Sequence, residues 1–405
     1  MRPGGRFRLQ SMLDHSNFIL PRTGPVAILL GRMSDQKYIL IHNRGADGFD
    51  IMPLDKKDFV REASTLFKRP KKIFLGLGDF LEVGDYNVLM DSLFFDSAGL
   101  LFENILDRNN RKLSDMGDVP DSFFKLAVYY PDYLLKNVPT YCVSLIGKKS
   151  RLFPGAETFL KYIKEYDPTV LSAMPREIAL EFVKRLDMEE KNLLSTEYRI
   201  KPSPGGGTYA GGINRFISGA RKSLEIEKIM AEKDYRNDEI VYIGRGEAGA
   251  RTFSTVSSIA FNPFKSIISE SRINVYGSSL EALLVLFNFD GELEKFLLAA
   301  ANEDLLPSLV VYSESREKSD RLLEIENLHC HFQTNIIGQR IEHSGDSYDS
   351  VRREIDIAIG GSNVDLQKVR EQVGERLEVF RNNPRELVRQ IYGIAMERYK
   401  NFCSV

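Results

Sequence analysis

The chain has 405 residues, which is enough to bury a large core and to form two or three domains. Its formal net charge of -2 at pH 7 gives no bulk attraction to nucleic acid or to an acidic membrane surface. The 3 cysteines lie far apart without CxxC spacing. This argues against a disulfide framework and a structural zinc site, and it predicts a cytoplasmic protein. No apolar run reaches the roughly 18 residues of a membrane span, so we expect no membrane-spanning segment.

The first 70 residues predict a small N-terminal α+β segment. Two apolar runs, Val26–Leu30 and Lys37–Ile41, are typical of short strands joined by a turn. Residues 56–68 then have a helical pattern, and a short basic connector follows them. We therefore place the first domain boundary at about residue 70.

Residues 71–300 predict an α/β domain. Ile73–Leu77 and Thr169–Ser172 are short apolar runs typical of buried strands, and the second is followed by a helical pattern over Pro175–Leu186. Residues 103–140 are instead charged, aromatic and helical in pattern, which predicts a helical cap inserted at about 103–150.

The stretch Asp238–Phe261 is the most informative part of the chain. An apolar run, Ile240–Ile243, precedes two closely spaced glycines and a helix-like segment, and a second apolar run follows at Val256–Phe261. A strand, a glycine turn and a helix place side chains at the carboxyl edge of a parallel sheet, where open α/β folds bind ligands. This turn is therefore the first place to look for a site.

Three further stretches are less informative. The glycines of SPGGGTYAGG, near residue 205, favour a mobile loop over a phosphate-binding one, because the Walker A spacing and its GK[ST] ending are absent. Ile213–Lys233 predicts a long helix. Residues 301–405 predict a mixed, mainly helical C-terminal region, whose charged helices are a candidate surface for a protein partner.

Two stretches resemble the haloacid dehalogenase-like (HAD) superfamily. Arg151–Val183 is similar to a Pro-Gly helix followed by a short strand that ends in Ser/Thr, and Val241–Asn262 is similar to the last acidic motif and the next strand. Within the superfamily, the similarity is to the archaeal branch related to subunit R of energy-converting hydrogenase A. The resemblance implies a HAD-like, Rossmann-like α/β fold: a parallel sheet with a helical cap insertion, a small N-terminal β-containing segment and a helical C-terminus.

HAD-like phosphatases use an aspartate nucleophile after the first strand and a second acid two residues later. If Ile73–Leu81 is this motif, the nucleophile position falls on Leu77 and the second acid on Asp79. Moving the nucleophile to Asp79 leaves Leu81 as its partner, and a third frame offers Asp96 with Ala98. No frame supplies both acids, so Asp79 and Asp96 remain candidate catalytic residues.

The resemblance also implies residues that bind phosphate and metal. Ser172 falls at the position that holds the phosphoryl group, and Lys222 is a candidate for the neutralising lysine. The acidic metal positions fall on Arg245 and Gly249, with Glu247 the nearby carboxylate. A guanidinium would repel magnesium, but it could hold an anion directly.

The leading hypothesis is a HAD-like protein with degenerate phosphotransfer motifs. It would bind a small phosphorylated or anionic ligand among Asp79, Ser172, Lys222 and Arg245 without turnover, in a regulatory or assembly role and without a cofactor.

Two alternatives stay open. The first is an active magnesium-dependent phosphohydrolase, which uses Asp96 or Asp79 as nucleophile and Glu247 as metal ligand. The second is a non-enzymatic scaffold that binds its partner through the charged helices of residues 345–402.

Overall fold

The fold was analysed in a computed structural model. It describes residues 38–44, 49–77, 135–149, 152–203, 206–217, 219–246, 249–263, 267–299 and 305–313, and the single residues 368, 371 and 375. The predicted cap falls mostly outside these residues, as does most of the predicted C-terminal region. Within the described ranges, no helix has the length and apolar character needed to cross a membrane.

The described residues form a 10-stranded sheet. Its strands are β1 Tyr38–Asn43, β2 Phe49–Leu54, β3 Lys72–Gly76, β4 Thr169–Pro175, β5 Leu193–Ser203, β6 Gly206–Arg215, β7 Ile240–Gly244, β8 Ser257–Phe261, β9 Ile273–Tyr276 and β10 Leu309–Ser313. Their order is β2-β1-β10-β9-β8-β7-β3-β4-β5-β6. The central strands from β9 to β5 are all parallel, and antiparallel pairs occur only toward the two ends of the sheet. The mostly parallel α/β sheet that the sequence predicts is confirmed.

Helices cover both faces of this sheet. They are α1 Lys56–Thr65, α2 Thr140–Lys149, α3 Ala156–Ile163, α4 Arg176–Arg185, α5 Ala220–Lys233, α6 Ala250–Thr255 and α7 Glu294–Leu298, with 3-10 helices at Lys164–Tyr166, Glu190–Asn192 and Leu280–Phe287. The larger apolar core joins one face of the sheet to α1–α4, and the smaller one joins the other face to α5 and α6. The central part of the fold is therefore a three-layer α/β/α sandwich.

The periodicity of the sequence agrees with this packing. In α3, Phe159, Leu160 and Ile163 are all buried, as expected for apolar residues three and four positions apart on one helical face. The run Ile240–Ile243 is buried on both sides because β7 is covered by both helical layers.

The glycine-rich stretch is a correction. Residues 206–215 form β6, which pairs antiparallel with β5, so the predicted loop is in large part a strand. The predicted helix from Ile213 consequently begins later, at Ala220. Glycine has a weak tendency to form strands, but pairing with β5 supplies hydrogen bonds that local sequence does not reveal.

The N-terminal segment takes part in the same sheet. β1 pairs in parallel with β10 and antiparallel with β2, and α1 packs its buried Phe59 into the larger core. The segment therefore lengthens the sheet beyond β10, while its boundary at residue 70 stays a prediction.

A buried cation fixes the start of β3. Lys72 is only 6% exposed, and its Nζ donates to the backbone carbonyl of Asp167 and, at 2.7 Å, to Oδ2 of the same residue. The hydrogen bond from Lys72 to the carboxylate is the main cause that lowers the pKa of the Asp167 carboxyl, although partial burial opposes the shift. Because Asp167 lies just before β4, this ion pair ties the beginnings of two central strands together.

We expect Asp167→Asn to destabilise the fold by roughly 1 kcal/mol at pH 7, a value reduced for the solvent exposure of the carboxylate. A carboxyl whose pKa is lowered in the folded state stabilises the protein at pH values above its unfolded pKa of about 4. This stabilisation is lost as the pH falls through the pKa of the folded state. The difference from the parent protein, measured by urea denaturation, should therefore shrink below about pH 4.

Asp187→Asn is the matched control. Asp187 also pairs with a lysine at 2.7 Å and also has positive φ, but its side chain is 94% exposed. Its replacement should leave the free energy of unfolding nearly unchanged. Equal effects of the two substitutions would contradict the role given to Lys72.

Candidate functional site

The register of the central strands brings Ser172 and Arg245 to one level of the sheet. Gly76 of β3 pairs with Leu171 of β4, and Leu75 pairs with Ile243 of β7. Continuing these registers along the strands puts Leu77 between Ser172 and Arg245. On the far side of β4, Ser172 pairs with Ser195 of β5. We call these four residues, Arg245, Leu77, Ser172 and Ser195, the edge row.

The edge row lies on one face of the sheet. The residues two positions earlier on each strand are all members of the larger core: Ile243, Leu75, Val170 and Leu193. Because side chains alternate along a strand, the edge row continues this face at the carboxyl ends of β7, β3 and β4. Neighbouring strands are about 4.8 Å apart, so adjacent members of the row are close together.

The Ser172 hydroxyl has a defined orientation. Its Oγ accepts a hydrogen bond of 3.1 Å from the backbone N–H of Met174, and the side chain is 2% exposed. In the part of the chain that the structure describes, no group accepts the hydroxyl proton of Ser172. Ser172 can thus donate a hydrogen bond from the middle of β4.

Lys222 approaches the same edge from the other face. It lies in the first turn of α5, one turn before Ile226, which packs in the smaller core. Because α5 leads into the beginning of β7, its own beginning is at the carboxyl edge. A buried hydrogen bond of 3.2 Å, from the N–H of Ile217 to Oγ1 of Thr196 on β5, holds the segment before α5 against the sheet.

A second contact joins α5 to the segment after β7. The hydroxyls of Ser223 and Thr252 are 3.3 Å apart and buried, and they link the first turns of α5 and α6. α6 follows the turn that contains Arg245, so this contact relates the segment that carries Lys222 to the segment that carries Arg245. Burial lowers the pKa of the Arg221 guanidinium, and the charge of Glu225 opposes the shift.

Two cationic side chains at this edge, those of Lys222 and Arg245, are shielded from water. Lys222 is 5% exposed and Arg245 is 6% exposed, and the first turn of α5 has no acidic residue. Buried cations are tolerated only where anionic or hydrogen-bonding groups surround them. The described side chains here are two cations and several hydroxyls, which suit an oxyanion.

Three of the residues singled out from the sequence, Asp79, Asp96 and Glu247, lie outside the described residues. Within the described residues, no group of three or more His, Cys, Asp or Glu could hold a metal ion. The sequence reasoning missed Ser195 and Thr196. The signal was available, because two hydroxyl residues directly follow the apolar pair Leu193-Leu194 at the start of a strand.

Comparison with known proteins finds likeness in structure only. No protein-family model matches the chain, and no curated protein matches it. A phosphoserine phosphatase solved in its apo form is 17% identical, with a TM-score of 0.41 over 53% of this chain and 98% of that one. A HAD family hydrolase from Salmonella enterica serovar Typhi is 13% identical, with a TM-score of 0.46 over 66% of this chain and 96% of that one.

A gene product from Archaeoglobus fulgidus is 12% identical, with a TM-score of 0.49 over 65% of this chain and 96% of that one. Likenesses at this level concern the general arrangement of the chain and say nothing about the chemistry of its site. Membership of the hydrogenase-related archaeal branch stays a prediction.

Replacing Thr196 by valine tests how the start of α5 is held. The substitution keeps the shape of the side chain but leaves the buried N–H of Ile217 without its acceptor. We expect a loss of about 1–3 kcal/mol in the free energy of unfolding, measured by urea denaturation. As a control, Thr65→Val at an exposed position should cost less than about 0.5 kcal/mol. An unchanged stability of Thr196→Val would mean that this bond does not anchor α5.

Proposed function

We propose that the carboxyl edge of the central strands binds a phosphoryl group, or a similar tetrahedral oxyanion, and does not hydrolyse it. The observation that carries the proposal is the register of β3 with β4 and β7, because its continuation beyond the last paired residues would put Leu77 between Ser172 and Arg245. In this proposal the anion lies over Leu77, within reach of a hydroxyl on one side and a guanidinium on the other.

Binding follows from the charges at this edge. Arg245 would donate to two oxygens of the anion, because the guanidinium fork matches the spacing of oxyanion atoms. Lys222 would add a second positive charge from α5, and Ser172 would donate its proton to a third oxygen. In a site shielded from water these interactions are stronger than at an exposed surface.

Turnover would need a nucleophile at the same place. Phosphoryl transfer through an enzyme intermediate requires a group such as a carboxylate to attack phosphorus, and a leucine side chain has no such group. The cationic residues also disfavour a magnesium ion that would balance a carboxylate. A protein of this kind would respond to the presence of its ligand, which suits a regulatory or assembly role.

The first experiment measures hydrolysis of p-nitrophenyl phosphate by the purified full chain, with magnesium and with EDTA. We expect no magnesium-dependent turnover, because Leu77 provides no nucleophile. Turnover that is abolished by Asp79→Asn or Asp96→Asn would overturn the proposal and establish the magnesium-dependent phosphohydrolase.

The second experiment measures the affinity of inorganic phosphate by calorimetry in the parent protein and in Ser172→Ala, Lys222→Met and Arg245→Met. Each substitution removes a charge-assisted interaction, so we expect each to weaken binding about tenfold or more. Lys228→Met is the matched control, since Lys228 lies on α5 with its side chain 70% exposed. It should leave the affinity unchanged.

Phosphate also stabilises proteins by a general salt effect. The three site variants separate this general stabilisation from binding at the site. A salt effect would persist in all of them, whereas an effect of specific binding would be weakened in each. If the parent protein shows no turnover and does not bind phosphate, the scaffold alternative is favoured.

A further inference from the structure

Ser195 is the member of the edge row that the proposed phosphate site does not use. It lies on β5 beside Ser172, and its side chain is 0% exposed. Among the residues that the structure describes, none forms a hydrogen bond with its Oγ. The hydroxyl is therefore both buried and without a described partner.

Such a hydroxyl is costly for the fold. A buried polar group that has left water without gaining a hydrogen bond destabilises the folded protein. The position itself is suited to an apolar residue, because Leu193, two residues earlier on the same face, packs in the larger core. The nearby Thr196 differs from Ser195, since its Oγ1 accepts a hydrogen bond from the chain. Nothing in the described packing explains a hydroxyl at Ser195.

The location of Ser195 relates it to the proposed ligand. The anion would lie over Leu77, between Arg245 and Ser172. Ser195 lies beyond Ser172, about one strand spacing of 4.8 Å further along the edge row. A ligand that extends from the phosphoryl group toward β5 would bring its next atoms to this hydroxyl.

We propose that Ser195 binds a second, uncharged oxygen of the ligand, such as a hydroxyl or a carbonyl, close to the phosphoryl group. This inference rests on the proposed function and narrows the ligand class to phosphate monoesters that carry an oxygen function on the adjoining carbons. The serine hydroxyl can donate to either group and can accept from a hydroxyl. The oxygen lies on the β5 side of the anion.

Two phosphate monoesters of equal length and charge test the proposal. 2-Hydroxyethyl phosphate and propyl phosphate differ in one terminal group, a hydroxyl in place of a methyl. Calorimetry would measure the affinity of both, and of inorganic phosphate, for the parent chain and for Ser195→Ala and Ser195→Cys. The cysteine variant keeps most of the side-chain volume with a weaker hydrogen bond, so it controls for a cavity.

In the parent protein we expect 2-hydroxyethyl phosphate to bind about threefold to tenfold more tightly than propyl phosphate, the effect of one hydrogen bond. In Ser195→Ala and Ser195→Cys this ratio should fall to about one. The affinity for inorganic phosphate should not change in either variant. Their melting temperatures should equal or exceed that of the parent, since no described hydrogen bond is lost.

The outcomes separate this inference from the proposed function. If inorganic phosphate binds the parent protein but the two esters bind equally, the inference is overturned and the proposed function stands. A preference that persists in both Ser195 variants overturns it as well, as does a melting temperature lowered in both, which would assign Ser195 a structural role. If the parent binds neither phosphate nor the esters, the proposed function and the inference fail together.

Discussion

The parallel pairing of β3 with its neighbours β4 and β7 is the constraint on which the site depends. Leu77, Ser172 and Arg245 are far apart in the sequence, and it is the register of these strands, continued past their last paired residues, that relates the three positions. A shift of one residue in either ladder would turn a member of the edge row toward the other face of the sheet. The apolar residues that precede the row pack into one core and thereby fix that register.

Both charged and apolar side chains define the chemistry at the carboxyl edge of the central strands. Arg245 and Lys222 are buried cations, and Ser172 accepts a hydrogen bond from Met174, so the proposed oxyanion site rests on these three side chains. Leu77 lies at the centre of this arrangement and is itself buried. Because positioning and charge neutralisation dominate phosphoryl chemistry, a site can keep its binding groups and lack the group that reacts.

The helices that supply the second cation depend on hydroxyl contacts. Thr196 holds the backbone just before α5, and the pair Ser223 and Thr252 joins α5 to α6. These small side chains add polar contacts to the apolar packing of α5 and α6 in the smaller core. Ser195 differs from them, because the described chain offers its hydroxyl no partner.

The sequence by itself determined the α/β class and the buried strands such as Ile240–Ile243, and it singled out Ser172 as a candidate site residue. These follow from apolar runs and periodicity, which local physical chemistry controls. Only the tertiary structure decided the strand order, the extension of the sheet by β1 and β2, and β6 within the glycine-rich stretch. It also brought out Ser195, whose neighbour lies on another strand. Pairing between distant segments leaves no local signal in the sequence. Its backbone hydrogen bonds depend on which strand lies alongside, and a segment's own residues do not specify that strand.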